Sequence, residues 1–253
     1  MGQGAHARAA PPLALVLAVL VGCGGDGKAP APEAAATATP APTAEPSAPP
    51  KAPKARRVRF TAADGAPVTG MFAAGGGRRA PGVVLLHEIR GGPDQWAPLI
   101  PYLHAAGFAT LACTSRASVM EADRAKDAEG AVAWLRKRPD VDRDRIALVG
   151  ASIGASTTAY AMATRIGRLA DAAIALSPPD SSDVWSLQDD DRWRPHDLLL
   201  VADAAESSSA EGMLDGAVRS RFLQSHEAGH GVALLPAPGV RAALLGWLRE
   251  RVR

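Results

Sequence analysis

Apolar residues in the C-terminal four-fifths of the chain form short continuous runs that alternate with stretches of helical spacing. Five runs are typical of strands buried on both faces: 83–86, 108–113, 146–149, 172–176 and 198–201. Apolar positions three or four residues apart predict helices in the intervals and at the C-terminus: 96–103, 128–135, 155–166 and 240–248. This alternation predicts an α/β fold, with a mostly parallel, doubly wound sheet covered by helices on both faces.

A hairpin pattern precedes the first buried run. Apolar residues lie on both sides of the turn residues Asp64-Gly65, namely Val58, Phe60, Val68, Met71 and Phe72. Asp-Gly between two such segments is a strong signal for a tight turn between paired strands. We therefore expect an N-terminal antiparallel hairpin at one end of the sheet.

The first 22 residues have the layout of an export signal. Arg8 precedes the apolar run 13–21, whose nine residues span only about half of a bilayer core. Leu20-Val21-Gly22-Cys23 follows and resembles the bacterial lipoprotein signal, in which the cysteine becomes the lipidated first residue of the mature chain. We expect a signal peptide at 1–22 and a membrane anchor on Cys23, in the outer membrane where the cell has two. The alternative is an ordinary signal peptide in which Cys23 has no role.

Residues 23–56 are predicted to form a linker between the anchor and a folded domain at 57–253. Of the 27 residues from 29 to 55, 19 are Ala or Pro, and none has a larger aliphatic or an aromatic side chain. Such a segment cannot bury enough apolar surface to offset the entropy of folding, and repeated Ala-Pro favours extended conformations. The basic stretch 51–57 that ends it is expected to be a solvated flank.

Charge and cysteine content exclude several classes of protein. The chain has 28 basic and 26 acidic residues, and the resulting net charge of +2 does not favour nucleic acid as a partner. Two cysteines, Cys23 and Cys113, are too few for a disulfide-stapled scaffold or a multi-cysteine zinc module. The sequence also has no phosphate-binding glycine loop ahead of a helix, so we expect neither a metal nor a cofactor.

The candidate chemistry is at Gly150-Ala151-Ser152-Ile153-Gly154. This stretch fits G-x-S-x-G at the junction between a predicted strand and a predicted helix, the context in which the pattern marks a serine nucleophile. Glycines at both ends allow a tight turn that lifts the Ser152 hydroxyl out of the sheet. The alternative is a helix start rich in small residues and without catalysis.

A serine hydroxyl needs a neighbouring base, and the base needs an acid that fixes its tautomer. His230 is the preferred base because glycines flank it in the last loop before the final helix, and His226 is held in reserve. The acid should follow the strand at 198–201, where Glu206 is preferred and Asp203 is the alternative, since Asp203 is close enough to the strand to cap its turn. The order serine, acid, histidine is the one found in α/β-hydrolases.

The region from about 57 to 253 resembles an α/β-hydrolase of the dienelactone hydrolase branch. Three segments carry the resemblance: 86–92 (Leu-His-Glu-Ile-Arg-Gly-Gly), 142–154 and 229–231 (Gly-His-Gly). It implies that the amides of Ile89 and Ile153 form an oxyanion hole, and that Glu88 and Arg90 lie near the nucleophile or substrate. The chain departs from that branch in two positions, because Ser152 replaces its nucleophilic cysteine and Glu206 replaces its usual aspartate.

Two further features of the sequence have alternative interpretations. His87 and Glu88 are either part of the reacting site or a hydrogen-bonded staple within their loop. Trp185 and Trp193 lie in the polar insertion 178–195, where they either line a substrate pocket, which we prefer, or pin the loop to the domain.

The function expected from these features is an exported serine hydrolase that cleaves small carboxylic esters or related acyl compounds. Its expected partners are a small acyl substrate and a membrane, the latter through the N-terminal lipid. Two rivals stay open. The first is acyl transfer or peptide cleavage by the same three residues, and the second is a catalytically inactive hydrolase-like lipoprotein that binds a ligand.

Overall fold

A computed structural model describes residues 50–118, 120–164, 169–179 and 193–252. The strands are β1 (Arg56–Thr61), β2 (Pro67–Ala73), β3 (Ala80–Leu86), β4 (Ala109–Thr114), β5 (Val141–Ala151), β6 (Ala172–Leu176), β7 (Leu198–Ala202) and β8 (Arg221–Gln224). The α-helices are α1 (Ile100–Ala105), α2 (Glu121–Arg136), α3 (Ile153–Thr164), α4 (Ser207–Gly212) and α5 (Pro238–Arg251). Short 3-10 helices cover Pro93–Trp96 and Gly231–Leu234.

The eight strands form one sheet in the order β1-β2-β4-β3-β5-β6-β7-β8. Strands β3 to β8 are parallel to one another, whereas β2 is antiparallel to both β1 and β4. This confirms the predicted mostly parallel sheet with an N-terminal antiparallel hairpin. The hairpin turns at Gly65, which has φ +89°, a conformation that favours glycine.

Helices cover both faces of the sheet. Ala128 and Val132 of α2 and Ala159 of α3 are buried against one face, whereas Leu103 of α1 and Leu244 of α5 are buried against the other. The central strands β6 and β7 are buried at every position, which explains why they appear in the sequence as continuous apolar runs. Cys113 belongs to the first of these two cores, where burial raises the pKa of its thiol.

Several elements differ from the prediction. The predicted helix at 96–103 is two pieces, the 3-10 helix Pro93–Trp96 and α1, with Pro101 in the first turn of α1. Strand β8 and helix α4 were not predicted, because β8 has only two apolar residues, both half-buried, and α4 is a single short turn of polar and small residues. Ile166, the expected end of the third helix, lies outside the described residues.

The predicted export signal, Cys23 and most of the linker also lie outside the described residues. Within the described ranges, no helix is long and apolar enough to cross a membrane. Trp185 is likewise outside them, but Trp193 is described. Its side chain is buried in the first core, so the preferred pocket interpretation is wrong for Trp193, which pins the end of its loop to the domain.

Candidate active site

Ser152 occupies the single residue between the end of β5 and the start of α3. Its φ of +53° is in the left-handed region that residues with a Cβ seldom adopt. The conformation is held by its own backbone, because the amide of Ser152 donates to Leu176 O at 2.9 Å and its carbonyl accepts from Ala155 N at 2.7 Å. The predicted sharp turn from strand to helix is therefore present.

Both flanking glycines are required by close backbone approach. A Cβ on Gly150 would overlap the carbonyl of Gly154, and a Cβ on Gly154 would overlap the carbonyl of Leu86 at the end of β3. The need for glycine at both ends of the predicted tight turn therefore has a steric cause. It also shows that the start of α3 lies against the loop that follows β3, which brings the amides of Ile89 and Ile153 to the same edge of the sheet.

His230 and Glu206 are in direct contact, with Nδ1 of the imidazole 2.6 Å from Oε1 of the carboxylate. A carboxylate can only accept, so Nδ1 carries the proton of the neutral ring and Nε2 is the basic nitrogen. Helix α4 begins just after Glu206 and the 3-10 helix Gly231–Leu234 begins just after His230, so both side chains project from loops at the carboxyl edge of the sheet.

Asp203 has a different set of partners. Its Oδ1 accepts from the amides of Ala205 and Glu206, and its Oδ2 accepts from the amide of Gly229 at 3.1 Å. The amide of Gly229 is the largest cause that holds the pKa of Asp203 below its ordinary value. Asp203, the alternative acid, therefore accepts hydrogen bonds from backbone amides near Glu206 and near His230. Glu206 is the carboxylate that contacts the His230 ring.

The loop of His230 lies against the serine turn. Gly231 has φ +56°, and a Cβ built on it would lie 3.5 Å from the Cβ of Ala151. No hydrogen bond joins Ser152 Oγ to the His230 ring within the described residues, and the side chain of His230 is 47% exposed. The reserve histidine, His226, lies instead in a groove between β8 and the start of α5.

Glu88 joins the loop after β3 to the loop of His230. Its Oε1 accepts from the amide of Val232 at 2.8 Å, and its Oε2 accepts from the side-chain amide of Gln95 at 3.2 Å. Gln95 Oε1 accepts in turn from the amide of Glu88. The carboxylate also fills the space beside Gly231, because a Cβ at 231 would overlap Oε1. Sequence reasoning missed Gln95, which carries no motif and lies seven residues from its partner.

His87 supports the staple interpretation. It is buried, its Nδ1 lies 2.6 Å from Glu88 O, and its Nε2 accepts from the amide of Ser115 at 3.0 Å. Because Nε2 accepts, the ring proton is on Nδ1 and His87 is neutral. Burial is the largest cause that lowers its pKa below 6.5. His87 thus connects the loops after β3 and β4.

The amides predicted as an oxyanion hole are available as donors. Neither the Ile89 nor the Ile153 N–H has an acceptor among the described residues. A cavity of about 320 Å³ adjoins Ile89, and its lining includes Arg90, Arg116 and Arg124 but no acidic residue. Arg124 is buried and donates to the carbonyls of His87 and Arg116, so the floor of this cavity is fixed.

Solved structures with the same fold are numerous, although no protein-family model and no curated protein sequence matches the chain. A dienelactone hydrolase from Anabaena variabilis is similar, with a TM-score of 0.65, 18% identity and coverage of 80% of this chain and 100% of that one. The fold is that of the α/β-hydrolases.

Two further similar structures have other activities in their names. An esterase from Pyrococcus furiosus has a TM-score of 0.63 at 17% identity, over 79% of this chain and 94% of that one. An acylaminoacyl peptidase from Pyrococcus horikoshii has a TM-score of 0.60 at 15% identity, over 80% of this chain and 42% of that one. Identities this low establish the shared architecture, so the reaction has to be argued from the site.

Proposed function

We propose that this chain is a serine hydrolase that cleaves small carboxylic esters or related acyl compounds through an acyl-serine intermediate. The observation that carries the proposal is the 2.6 Å contact between His230 and Glu206. The loop that contains His230 packs against the strained turn at Ser152. A nucleophile, a base of fixed tautomer and two free amides at one sheet edge are the parts that acyl transfer needs.

In the proposed reaction, His230 Nε2 removes the proton of Ser152 Oγ as Oγ bonds to the carbonyl carbon of the substrate. The amides of Ile89 and Ile153 hold the resulting oxyanion, where loss of one donor typically costs about 3–4 kcal/mol. The bond to the leaving alcohol then breaks, and the alcohol takes the proton from His230. A water deprotonated by His230 cleaves the acyl-serine, which releases the acid and restores the hydroxyl of Ser152.

A cavity of about 320 Å³ adjoins the proposed oxyanion donor Ile89, whereas Ser152 and His230 are not among its lining residues. Arg90 lies in its wall, next to the proposed oxyanion donor, as expected for a residue near the substrate.

Labelling with a fluorophosphonate probe tests the proposal, because the probe modifies only an activated serine. The wild-type chain should be labelled, Ser152→Ala should not, and its kcat on any accepted ester should fall by about four to six orders of magnitude. Ser207→Ala, which removes an exposed hydroxyl in α4, is the matched control and should keep both properties. Ester hydrolysis largely retained by Ser152→Ala would overturn the mechanism.

The same experiment separates the two rivals. A chain that labels but transfers its acyl group faster to added alcohols or amines than to water, or that prefers amides, would be an acyltransferase or a peptidase. A folded chain that is not labelled at all would be a hydrolase-like ligand-binding protein.

We also propose that the protein is exported and anchored to the cell envelope through a lipid on Cys23. The support is the sequence alone, with Arg8, the apolar run 13–21 and the segment ending at Cys23. Incorporation of labelled palmitate by the wild-type chain but not by Cys23→Ser would be the expected result. Equal incorporation by both would exclude this anchor.

A further inference from the structure

The charge of this chain is distributed unevenly, although its net charge is small. Residues 50–79 contain seven cations and one carboxylate, whereas residues 80–253 contain 19 cations and 22 carboxylates. The single carboxylate, Asp64, is paired with Arg116 from outside the segment. One part of the domain is therefore strongly basic and the remainder is slightly acidic, which the overall charge of +2 conceals.

Five of the seven cations lie in β1 or shortly before it and are called here the basic edge: Lys51, Lys54, Arg56, Arg57 and Arg59. The other two, Arg78 and Arg79, precede β3. All seven are exposed, and within the described residues none forms a salt bridge or a side-chain hydrogen bond. Arg56 packs over the ring of Phe72, which fixes its position without neutralising its charge. Most of the other arginines among the described residues have carboxylate or carbonyl partners. The lack of such partners is therefore characteristic of the segment 50–79.

Sheet topology places the basic edge at one end of the strand order. Its cations belong to β1, the outermost strand, or shortly precede it. Through the register, Arg59 lies level with Thr69 of β2 and with Thr114 at the end of β4, so β1 extends to the carboxyl edge of the parallel strands. Ser152 follows β5, which is four strands away from β1, so the basic edge lies to one side of the candidate active site.

The chemistry of the basic edge favours an extended anionic surface over a nucleic acid. Single-stranded nucleic acids are bound by combining cations with exposed aromatic rings, but the aromatic residues next to these cations, Phe60 and Phe72, are buried. The basic edge also begins at the end of the predicted linker, which starts at the predicted lipidation site, Cys23. Unpaired cations on a chain that a lipid holds at a membrane are typical of binding to anionic phospholipid headgroups.

We propose that the basic edge binds the anionic phospholipid surface of the membrane, so that the domain lies on the bilayer with β1 against it. The Ala/Pro-rich linker then sets how far the domain extends from its anchor, and the basic edge sets its orientation. The proposal does not depend on the reaction at Ser152, and it is the alternative to the expectation that 51–57 is a solvated flank.

Vesicle co-sedimentation tests this with a chain that begins at Gly24, which keeps every described element and lacks both the apolar run and Cys23. We expect binding to vesicles of equal parts phosphatidylglycerol and phosphatidylcholine at about 0.05 M NaCl, and its loss at about 0.5 M. Replacing Lys51, Lys54, Arg57 and Arg59 by Gln should weaken binding at least about a hundredfold and leave ester hydrolysis unchanged.

The matched control replaces four exposed cations elsewhere by Gln, at Lys137, Arg143, Arg221 and Arg249, and should bind as the wild type does. Four observations would each overturn the proposal: no binding to the anionic vesicles at low salt, equal binding to pure phosphatidylcholine vesicles, an equal loss in the control, or tighter binding to an oligonucleotide. Ester hydrolysis measured in parallel shows separately whether the proposed reaction holds.

Discussion

Ser152 shows how one residue is fixed by interactions on both sides of it. Its left-handed conformation is unfavourable for a residue with a Cβ, yet its amide and carbonyl both have backbone partners, on β6 and α3. The glycines at 150 and 154 allow these partners to approach without collision. The strained backbone therefore holds Ser152 in a fixed position at the turn, as the proposed role of nucleophile requires.

The two carboxylates after β7 should respond differently to loss of charge. Glu206→Gln leaves a neutral partner for His230 Nδ1, so we expect kcat to fall by about two to four orders of magnitude with little change in Tm. Asp203→Asn loses one of its two acceptor oxygens and with it an acceptor for a backbone amide, so we expect a Tm lower by a few degrees and a kcat within about tenfold of wild type. Steady-state kinetics and thermal unfolding of both variants check this. The assignment of Glu206 as the acid is wrong if only Asp203→Asn is severely impaired in kcat.

His87 should make stability depend on pH. Because burial lowers its pKa, the unfolded chain takes up a proton as the pH falls below 6.5 while the folded chain does not, so the free energy of unfolding should decrease. His87→Gln should reduce this slope, whereas the exposed His226→Gln should keep it. Urea unfolding between about pH 5 and 7.5 measures the slopes. Equal slopes for wild type and His87→Gln would show that His87 is not the titrating group.

At the scale of elements, the site is a set of loops tied together at one edge of the sheet. His87 bonds the loop after β4, Glu88 bonds the loop of His230, and Asp203 bonds Gly229 in that same loop. Each tie joins a side chain to a backbone amide of another loop. Such ties hold loops of different origin in a common arrangement without any metal or disulfide among these residues.

Removing the tie at Glu88 should impair catalysis more than folding. Glu88→Ala leaves the amide of Val232 without its acceptor and frees the backbone beside His230, so we expect kcat to fall by about tenfold to a hundredfold with KM little changed. Glu88→Gln, which can still accept from Val232, should be intermediate, and Glu211→Ala on the exposed face of α4 is the control. A loss in kcat that matches a loss of folded protein, measured by circular dichroism, would mean that the role is only structural.

At the scale of the whole molecule, the candidate active site and the basic edge occupy different parts of one sheet. Ser152 and His230 lie in loops at the carboxyl edge of the parallel strands, whereas the basic edge follows β1, the outermost strand. The overall charge of +2 gave no sign of this, because the remainder of the chain is acidic and offsets most of the positive charge of residues 50–79. Only the position of β1 at the end of the sheet made its cations a candidate interface.

The sequence predicted most of the fold because its signals were local and strong. The runs at 172–176 and 198–201 became β6 and β7 almost residue for residue, since strands buried on both faces tolerate few polar side chains. The edge strand β8 gave no such signal. It pairs with a neighbouring strand on one side only, and its four residues include the polar Arg221 and Gln224. Gln95 gave no sequence signal either, because its role depends on hydrogen bonds to Glu88 across a loop.

The sequence by itself determined the order of the elements, the turn at Ser152 and the short set of residues able to act as its base and acid, because periodicity, glycine and side-chain chemistry act locally. The tertiary structure decided which carboxylate faces His230 and how Glu88 and Gln95 hold that loop. These depend on distances between residues far apart in the chain, which only the packing of the sheet and its loops establishes.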